Sequence, residues 1–242
     1  MTKKEDAGVD VSIVIACYND APHLKENFKK IVDIMNLTKY SYEMILVDDK
    51  SPDDSRKIIE EIIEDYPGMN IKRIYHEKNM GRGRTVTDGL LLAEGRFIGY
   101  LDIDLEVRPH YIPPVLLALE KGADFVLTAR VFELTYRGLA RFVISKGYIR
   151  FSNKVLGTKG IDSEAGFKFF NKASMMPVIV TVKDNHWFWD TEVVYRARQA
   201  GKKIVEVPAL FTRLGGKQST VKIVRDTWRY ITKLFEFKKK ME

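Results

Sequence analysis

Asp102, Asp104 and Glu106 stand two residues apart behind an apolar, strand-like run ending at Leu101. In an extended segment that spacing puts three carboxylates on one face, where they repel one another unless a cation is shared. Hard divalent ions such as Mg2+ or Mn2+ take oxygen ligands of this kind and bridge them to diphosphate oxygens. A solvated acidic turn would show the same letters, so the weight rests on the buried run in front of it. Asn79-Met80-Gly81-Arg82-Gly83-Arg84 precedes a helical pattern. There glycines admit a close ligand, and the helix start and two arginines favour an anion. It spells no Walker loop, and no G-x-G-x-x-G follows the first strand, which disfavours a dinucleotide dehydrogenase. His23, His76, His110 and His186 show no metal spacing and read as structural. Trp187-Phe188-Trp189 reads as core or as an apolar rim, with core favoured. Asp190 and Glu192 beside it read as an acceptor-facing acid pair or as first-turn helix charges.

Elements that alternate between strand and helix must position these residues. Val11–Ala16, Met44–Val47, Ile71–His76, Arg96–Leu101 and Asp124–Thr128 read as buried strands. Between them, Leu24, Phe28, Ile31, Val32 and Met35 mark one helical face. Ser51 and Pro52 read as the cap and first turn of a second helix, with Thr85–Ala93 and Tyr111–Glu120 as further helices. Such alternation implies a mostly parallel sheet with helices on both faces. Ligands of open parallel sheets sit beyond the carboxyl ends of the strands. Those ends carry Tyr18-Asn19-Asp20, Asp48-Asp49, Asp102–Glu106 and Arg130, which outline one site. After Arg130 the rhythm changes to a long helix at Leu139–Leu156, strands at Gly166–Phe170 and Ile204–Leu210, a helix at Thr191–Gln199 and a terminal helix at Lys222–Lys240.

The chain has 242 residues, an apolar fraction of 45% and a net charge of +7. That length suits one elaborated α/β domain. The single Cys17 rules out an intrachain disulfide and fits a reducing compartment. Met1–Asp10 has no apolar core of a signal peptide, and no apolar run approaches the roughly 20 residues of a membrane span. The expectation is a soluble or peripheral protein. Between Gly201 and Glu242, 11 Lys/Arg face 4 Asp/Glu, so the excess charge is local. A basic tail on a neutral body suits phosphate groups, a membrane surface or nucleic acid.

These motifs together resemble the family-2 glycosyltransferases of the GT-A fold, and within them the dolichol-phosphate mannose and glucose synthases. The resemblance covers about residues 11 to 220. Val14–Asp20 resembles the family's P-A-Y-N-E opening, with Ala16 for proline and Asp20 for glutamate. Val47–Asp54 resembles V-D-D-G-S-P-D-G-T, and Asn79–Gly83 the N-x-G-K/L-G loop. Asp102-Ile103-Asp104-Leu105-Glu106 resembles D-A-D-L-Q/S, and Thr128-Ala129-Arg130 resembles G-S-R. Asp162–Phe170 resembles D-x-x-S/C-G-F-K/R-L-F, and Phe188–Glu192 the F-D-x-E-L of the glucose synthases. Glu206-Val207-Pro208 and Arg213–Thr220 resemble E-V-P and R-x-x-G-x-S-K, with Thr220 where lysine is usual.

The resemblance implies a GT-A, Rossmann-like domain over 11–220; the polar start reads as a flexible tail at 1–10 and the basic, periodic end as an amphipathic helix at 221–242. It implies nucleotide contacts at Ala16, Tyr18, Asp20, Val47, Asp49, Arg82, Asp102 and Ile103, and donor-phosphate contacts at Arg130, Arg141 and Arg213. Asp102, Asp104 and Glu106 would hold Mg2+ or Mn2+, with Asp104 at the reacting centre and Asp162, Asp190 and Glu192 positioning the acceptor. The implied reaction moves a hexose, with inversion, from a nucleoside diphosphate sugar of the UDP-glucose or GDP-mannose type to a polyprenyl phosphate. A phosphomonoester is largely a dianion at neutral pH and needs no general base. A hydroxyl acceptor, in polysaccharide or glycan synthesis, would need one. Val224, Trp228, Ile231 and Phe235 follow 4-3-4 spacing among basic residues, an interfacial-helix pattern. The expected location is cytoplasmic, peripheral at the inner face of the membrane. A nucleic-acid-binding domain is the rival from another class, but it leaves the acidic segment without a role, and no nucleic-acid partner is expected. An inactive sugar-nucleotide-binding scaffold conflicts with an intact Asp102/Asp104 pair.

Overall fold

A computed structural model describes residues 8–132, 147, 150, 155, 160–212 and 232–239. Buried, β-branched runs become β1 (Val11–Cys17), β2 (Tyr42–Asp48), β3 (Ile71–Tyr75), β4 (Phe97–Leu101), β5 (Phe125–Phe132), β6 (Phe167–Asn171) and β7 (Ile204–Phe211). The helices are α1 (Ala21–Asn36), α2 (Ser55–Asp65), α3 (Arg82–Leu92), α4 (Ile112–Glu120, after a 3-10 turn at Pro109–Tyr111), α5 (Lys172–Ile179) and α6 (Trp189–Gln199). The seven strands form one sheet in the order β3-β2-β1-β4-β6-β5-β7. β3, β2, β1 and β4 run parallel, as do β5 and β7, and β6 lies antiparallel between β4 and β5. The expected mostly parallel α/β architecture is borne out.

Successive strand residues feed opposite layers. Ile13 and Ile15 of β1 join Leu24, Phe28 and Ile31 of α1, Ile59 and Ile62 of α2 and Val115 of α4 in one core. Val14 joins Val86 and Leu90 of α3, Met175 of α5 and Val193 of α6 in the other. Each fully buried Ile or Leu contributes about 1.5–3 kcal/mol over an exposed one, so the two layers together fix the sheet between them.

Two local expectations need correction. α2 does not open at Ser51; it starts at Ser55 behind Asp54. Ser51 instead accepts from the Asn19 amide and donates its own amide to Asp48, while Asp53 accepts from the Ala21 amide. Helix-capping residue types are spent here on tying the β1–α1 turn to the β2–α2 turn. α3 starts at Arg82 rather than Thr85, because Gly81 at φ 93° makes the sharp entry that a side chain resists. α5, not anticipated, is capped by Asn171 accepting from the Ser174 amide. β5 runs on to Phe132 because β7 pairs with it along its whole length. Gly147, Arg150 and Val155 are helical, as expected for 139–156; the rest of that stretch lies outside the described residues.

Candidate active site

The carboxyl ends of β1, β2 and β4 meet at one end of the sheet, where antiparallel β6 begins with Phe167 opposite Leu101. At the end of β1, Tyr18 is half-exposed. Asp20 is buried, and its carboxylate accepts from the Tyr18 amide, so it shapes its own turn. Ala16 is half-buried. Val47 and Ile103 are buried, so their side chains face the core rather than a ligand. Asp49 behaves differently from the expected open nucleoside contact. Its carboxylate accepts from the Met80 amide at 2.6 Å and the Gly81 amide at 2.8 Å, and lies 2.8 Å from His76 Nδ1. It thereby fixes the loop that leads into α3. His76 Nε2 lies 3.2 Å from Asp88, without a well-aligned hydrogen bond.

The acidic segment is not extended, contrary to expectation. It turns, with Leu105 at φ 52°, because Ile103, Leu105 and Val107 must reach the core. Asn27 donates to the Ile103 carbonyl at 2.8 Å and holds the turn. The three acids stay half-buried on the outer side, yet among the described residues no group of three or more acids, histidines or cysteines is arranged to hold a metal. Glu106 gives its backbone amide to Asp104, so the turn brings the Asp104 carboxylate back on its own segment. Burial pushes the Asp102 carboxyl up to about 6, and the neighbouring Asp104 charge pushes the same way while Arg82 opposes both. Solvent on its open side screens that shift, since the side chain keeps 43% exposure. Two hard oxygen donors crowded against each other suit a divalent cation.

Beneath Asp102 lies a buried charged network. Arg82 donates through Nε and Nη2 to one oxygen of Asp102, at 3.1 and 2.6 Å, and through Nη1 to Asp190. Asp190 also accepts from Tyr100 and from Lys168, which in turn donates to the Ala165 carbonyl. Burial works against ionised Asp190, but the Arg82 and Lys168 charges and the hydrogen bonds hold its carboxyl below the ordinary value. Burial lowers the Lys168 ammonium below its usual range, despite Asp190. The other oxygen of Asp102 faces Gly166, where a Cβ would lie only 1.7 Å from it. Asp190 is therefore neither an open acid nor a simple first-turn charge.

Arg130 was expected to meet donor phosphate and Asp162 to face the acceptor. They meet each other instead: Arg130 donates to both Asp162 oxygens at 2.9 and 2.8 Å, and to Glu164 at 2.9 Å. Glu192 accepts from the Lys183 and Asp184 amides and from Arg196, so it organises the loop before α6. The aromatic triplet divides. Phe188 and Trp189 are buried, whereas Trp187 is 52% exposed, with the Arg82 guanidinium 5.3 Å from its ring. Lys168, Tyr100, Asn27 and Gly166 were given no role from sequence. The usable signals were the matched glycine and lysine of the Asp162–Phe170 motif and the placing of that lysine inside the apolar run Phe167-Lys168-Phe169-Phe170. Arg141, Arg213, Val224, Trp228 and Ile231 lie outside the described residues. A groove at the opposite end of the sheet, beside Gly95, Phe97 and Asn171, contains none of these groups.

Comparison with known proteins bears on the family and the fold. The model of the family described as "Glycosyl transferase family 2" matches residues 12–177. Glycosyltransferase AglD of Haloferax volcanii is 27% identical over 225 residues, covering 91% of this chain; the chain spans only 35% of that relative's length. A dolichyl-phosphate beta-glucosyltransferase of Dictyostelium discoideum is 25% identical over 252 residues, covering 94% of this chain and 77% of its own. In fold, the chain is similar to glucosyl-3-phosphoglycerate synthase from Mycobacterium tuberculosis, solved with Mn2+, uridine diphosphate and glucosyl-3-phosphoglycerate. The TM-score is 0.70 at 15% identity, covering 95% of this chain and 80% of that one.

Proposed function

Because the chain belongs to glycosyl transferase family 2, we propose that it transfers a hexose, with inversion, from a nucleoside diphosphate sugar to a polyprenyl phosphate. One observation carries the choice of acceptor. Asp162, Asp190 and Glu192, the three carboxylates expected near the acceptor, are each held by a buried or half-buried cation. A hydroxyl acceptor needs a carboxylate free to take its proton, whereas a phosphate dianion attacks unaided. The relative named a dolichyl-phosphate beta-glucosyltransferase supports the same reading.

In this reading Tyr18 and the loop ordered by Asp49 receive the nucleoside. Asp102 and Asp104 hold Mg2+ or Mn2+, which when bound offsets the charge of the departing diphosphate. The structural neighbour solved with Mn2+ supports a cation of this class. Arg82 supplies fixed positive charge beside Asp102 for the phosphate oxygens. Arg130 fixes Asp162 and Glu164 as the wall of the acceptor side.

We further propose peripheral contact with the inner face of a membrane, where a polyprenyl phosphate resides. Residues 232–239 form a helix whose Leu234 and Phe237 turn toward Phe188 and Tyr195. Phe235 is 51% exposed, and Lys238 and Lys239 are exposed beside it. Among the described residues no helix is long and apolar enough to cross a membrane.

The test is a panel of UDP- and GDP-sugars with manganese or magnesium, offered with and without a short polyprenyl phosphate. Sugar should appear on the lipid with inverted anomeric configuration. Transfer only to hydroxyl acceptors, or to none, would overturn the reading.

A further inference from the structure

Arg82 is locked from every side. Its side chain is 12% exposed, and its guanidinium lies 5.3 Å from the Tyr100 ring and 5.3 Å from the Trp187 ring. One edge binds Asp102, and Nη1 binds Asp190. Asp190 cannot swing away, because Lys168 and Tyr100 hold its other oxygen. Of the five N–H groups of a guanidinium, two have no partner among the described residues. A permanent positive charge therefore stands against the very carboxylate that the cation needs.

That position has opposite consequences for two ligands. A divalent ion arriving alone meets a fixed like charge and an Asp102 oxygen already taken, in surroundings too dry to screen the repulsion well. A nucleoside diphosphate reverses the balance. Its oxygens would ligate the ion and bring negative charge beside the guanidinium, offsetting the repulsion. We propose that Arg82 strengthens the mutual dependence of cation and diphosphate binding, by weakening the hold of Asp102 on the free ion. This rests on the reading that Asp102 and Asp104 hold the cation. Coupling of this sort is reciprocal and commonly amounts to roughly 5–150-fold.

The experiment measures Mn2+ binding to the full chain from the electron paramagnetic resonance signal of free Mn2+, alone and with UDP or GDP. For the unaltered protein, one of the two nucleotides should tighten Mn2+ binding roughly 5–150-fold. Arg82→Gln should bind Mn2+ alone roughly tenfold tighter, and the nucleotide should then tighten it further by a smaller factor than in the unaltered protein. Asp190 keeps Lys168 and Tyr100 in that variant, so the fold should persist. Arg82→Met, which keeps the packing between the two rings, should behave likewise, and Arg82→Lys should keep the coupling. If Arg82→Gln and Arg82→Met bind Mn2+ alone no tighter than the unaltered protein, Arg82 only pins Asp102 and the inference falls. If the unaltered protein holds no Mn2+ even with either nucleotide, the cation reading itself fails, a distinct result that takes the inference with it.

Discussion

Both oxygens of Asp49 are occupied, by the Met80 and Gly81 amides and the His76 ring, so a change there acts on the fold as well as on the ligand. Hydrogen bonds to a charged group contribute about 1.5–3 kcal/mol each, and the amides left behind would be partly buried and unpaired. Asp49→Ala should lower unfolding free energy by roughly 2–4 kcal/mol in urea titration, and weaken the nucleoside diphosphate as the 79–81 loop loosens. A variant as stable as the parent would sink this assignment. Asp102 gives a pH prediction with a definite sign. Only the ionised carboxylate binds a cation, and burial has raised this group to about 6. Cation-dependent nucleotide affinity should therefore be flat above that pH and decline as pH falls through it, by roughly tenfold per unit in the steep range. In the cation-free protein the sign is opposite. A raised carboxyl binds its proton more tightly folded than unfolded, so its contribution to stability improves as pH falls toward the ordinary carboxylate value. Calorimetric titration across that range checks the first statement.

At the scale of elements, two glycines set how closely the pieces approach. Gly83, in the first turn of α3, leaves room for Trp189, whose Cβ would lie 2.6 Å from an added Cβ. The loop before α6 latches there, with the Arg84 amide bonding the Asn185 carbonyl and the Trp189 indole bonding Thr87. Gly166, just ahead of β6, faces the Asp102 carboxylate. Gly166→Ala should push that carboxylate off its Arg82 partner, costing most of the cation-dependent nucleotide binding. The melting temperature should shift by only a few degrees, since the core is untouched. Unchanged binding would show that Asp102 has room to move. Strands were readable because apolar runs such as Ile13–Ile15 and Met44–Val47 must be buried. The acidic segment was readable because it follows such a run. What escaped was whatever depended on partners far along the chain. Ser51 has a capping residue's chemistry, yet Asn19 claims it, and Arg130 and Asp162 are joined only because β5 lies beside β6. No spacing rule connects positions that sheet order alone brings together.

For the molecule as a whole, the helix at 232–239 is physically joined to the elements around the candidate site. Lys233 bridges to Asp184, on the loop that latches α3, while Leu234 and Phe237 pack on Phe188 and Tyr195. If this helix also meets a membrane, the two faces should separate by mutation. Phe235→Glu should reduce sedimentation with anionic liposomes and remove the salt-resistant fraction. Leu234→Glu should destabilise the domain by roughly 2–5 kcal/mol, since it replaces a fully buried side chain with a charge. No liposome binding at low salt would make the helix purely structural. The strand order has a consequence for synthesis on the ribosome. β5 has only β6 and β7 as neighbours, and both come later in the chain. As Phe125-Val126-Leu127 emerges it has no sheet to join, although β1 to β4 are already complete. At about 5–20 residues per second, the wait until Phe167–Asn171 emerges lasts on the order of seconds. During that interval the nascent chain carries a finished half-sheet with an open edge at β4 and a sticky strand beyond it, the condition under which a chaperone finds its client.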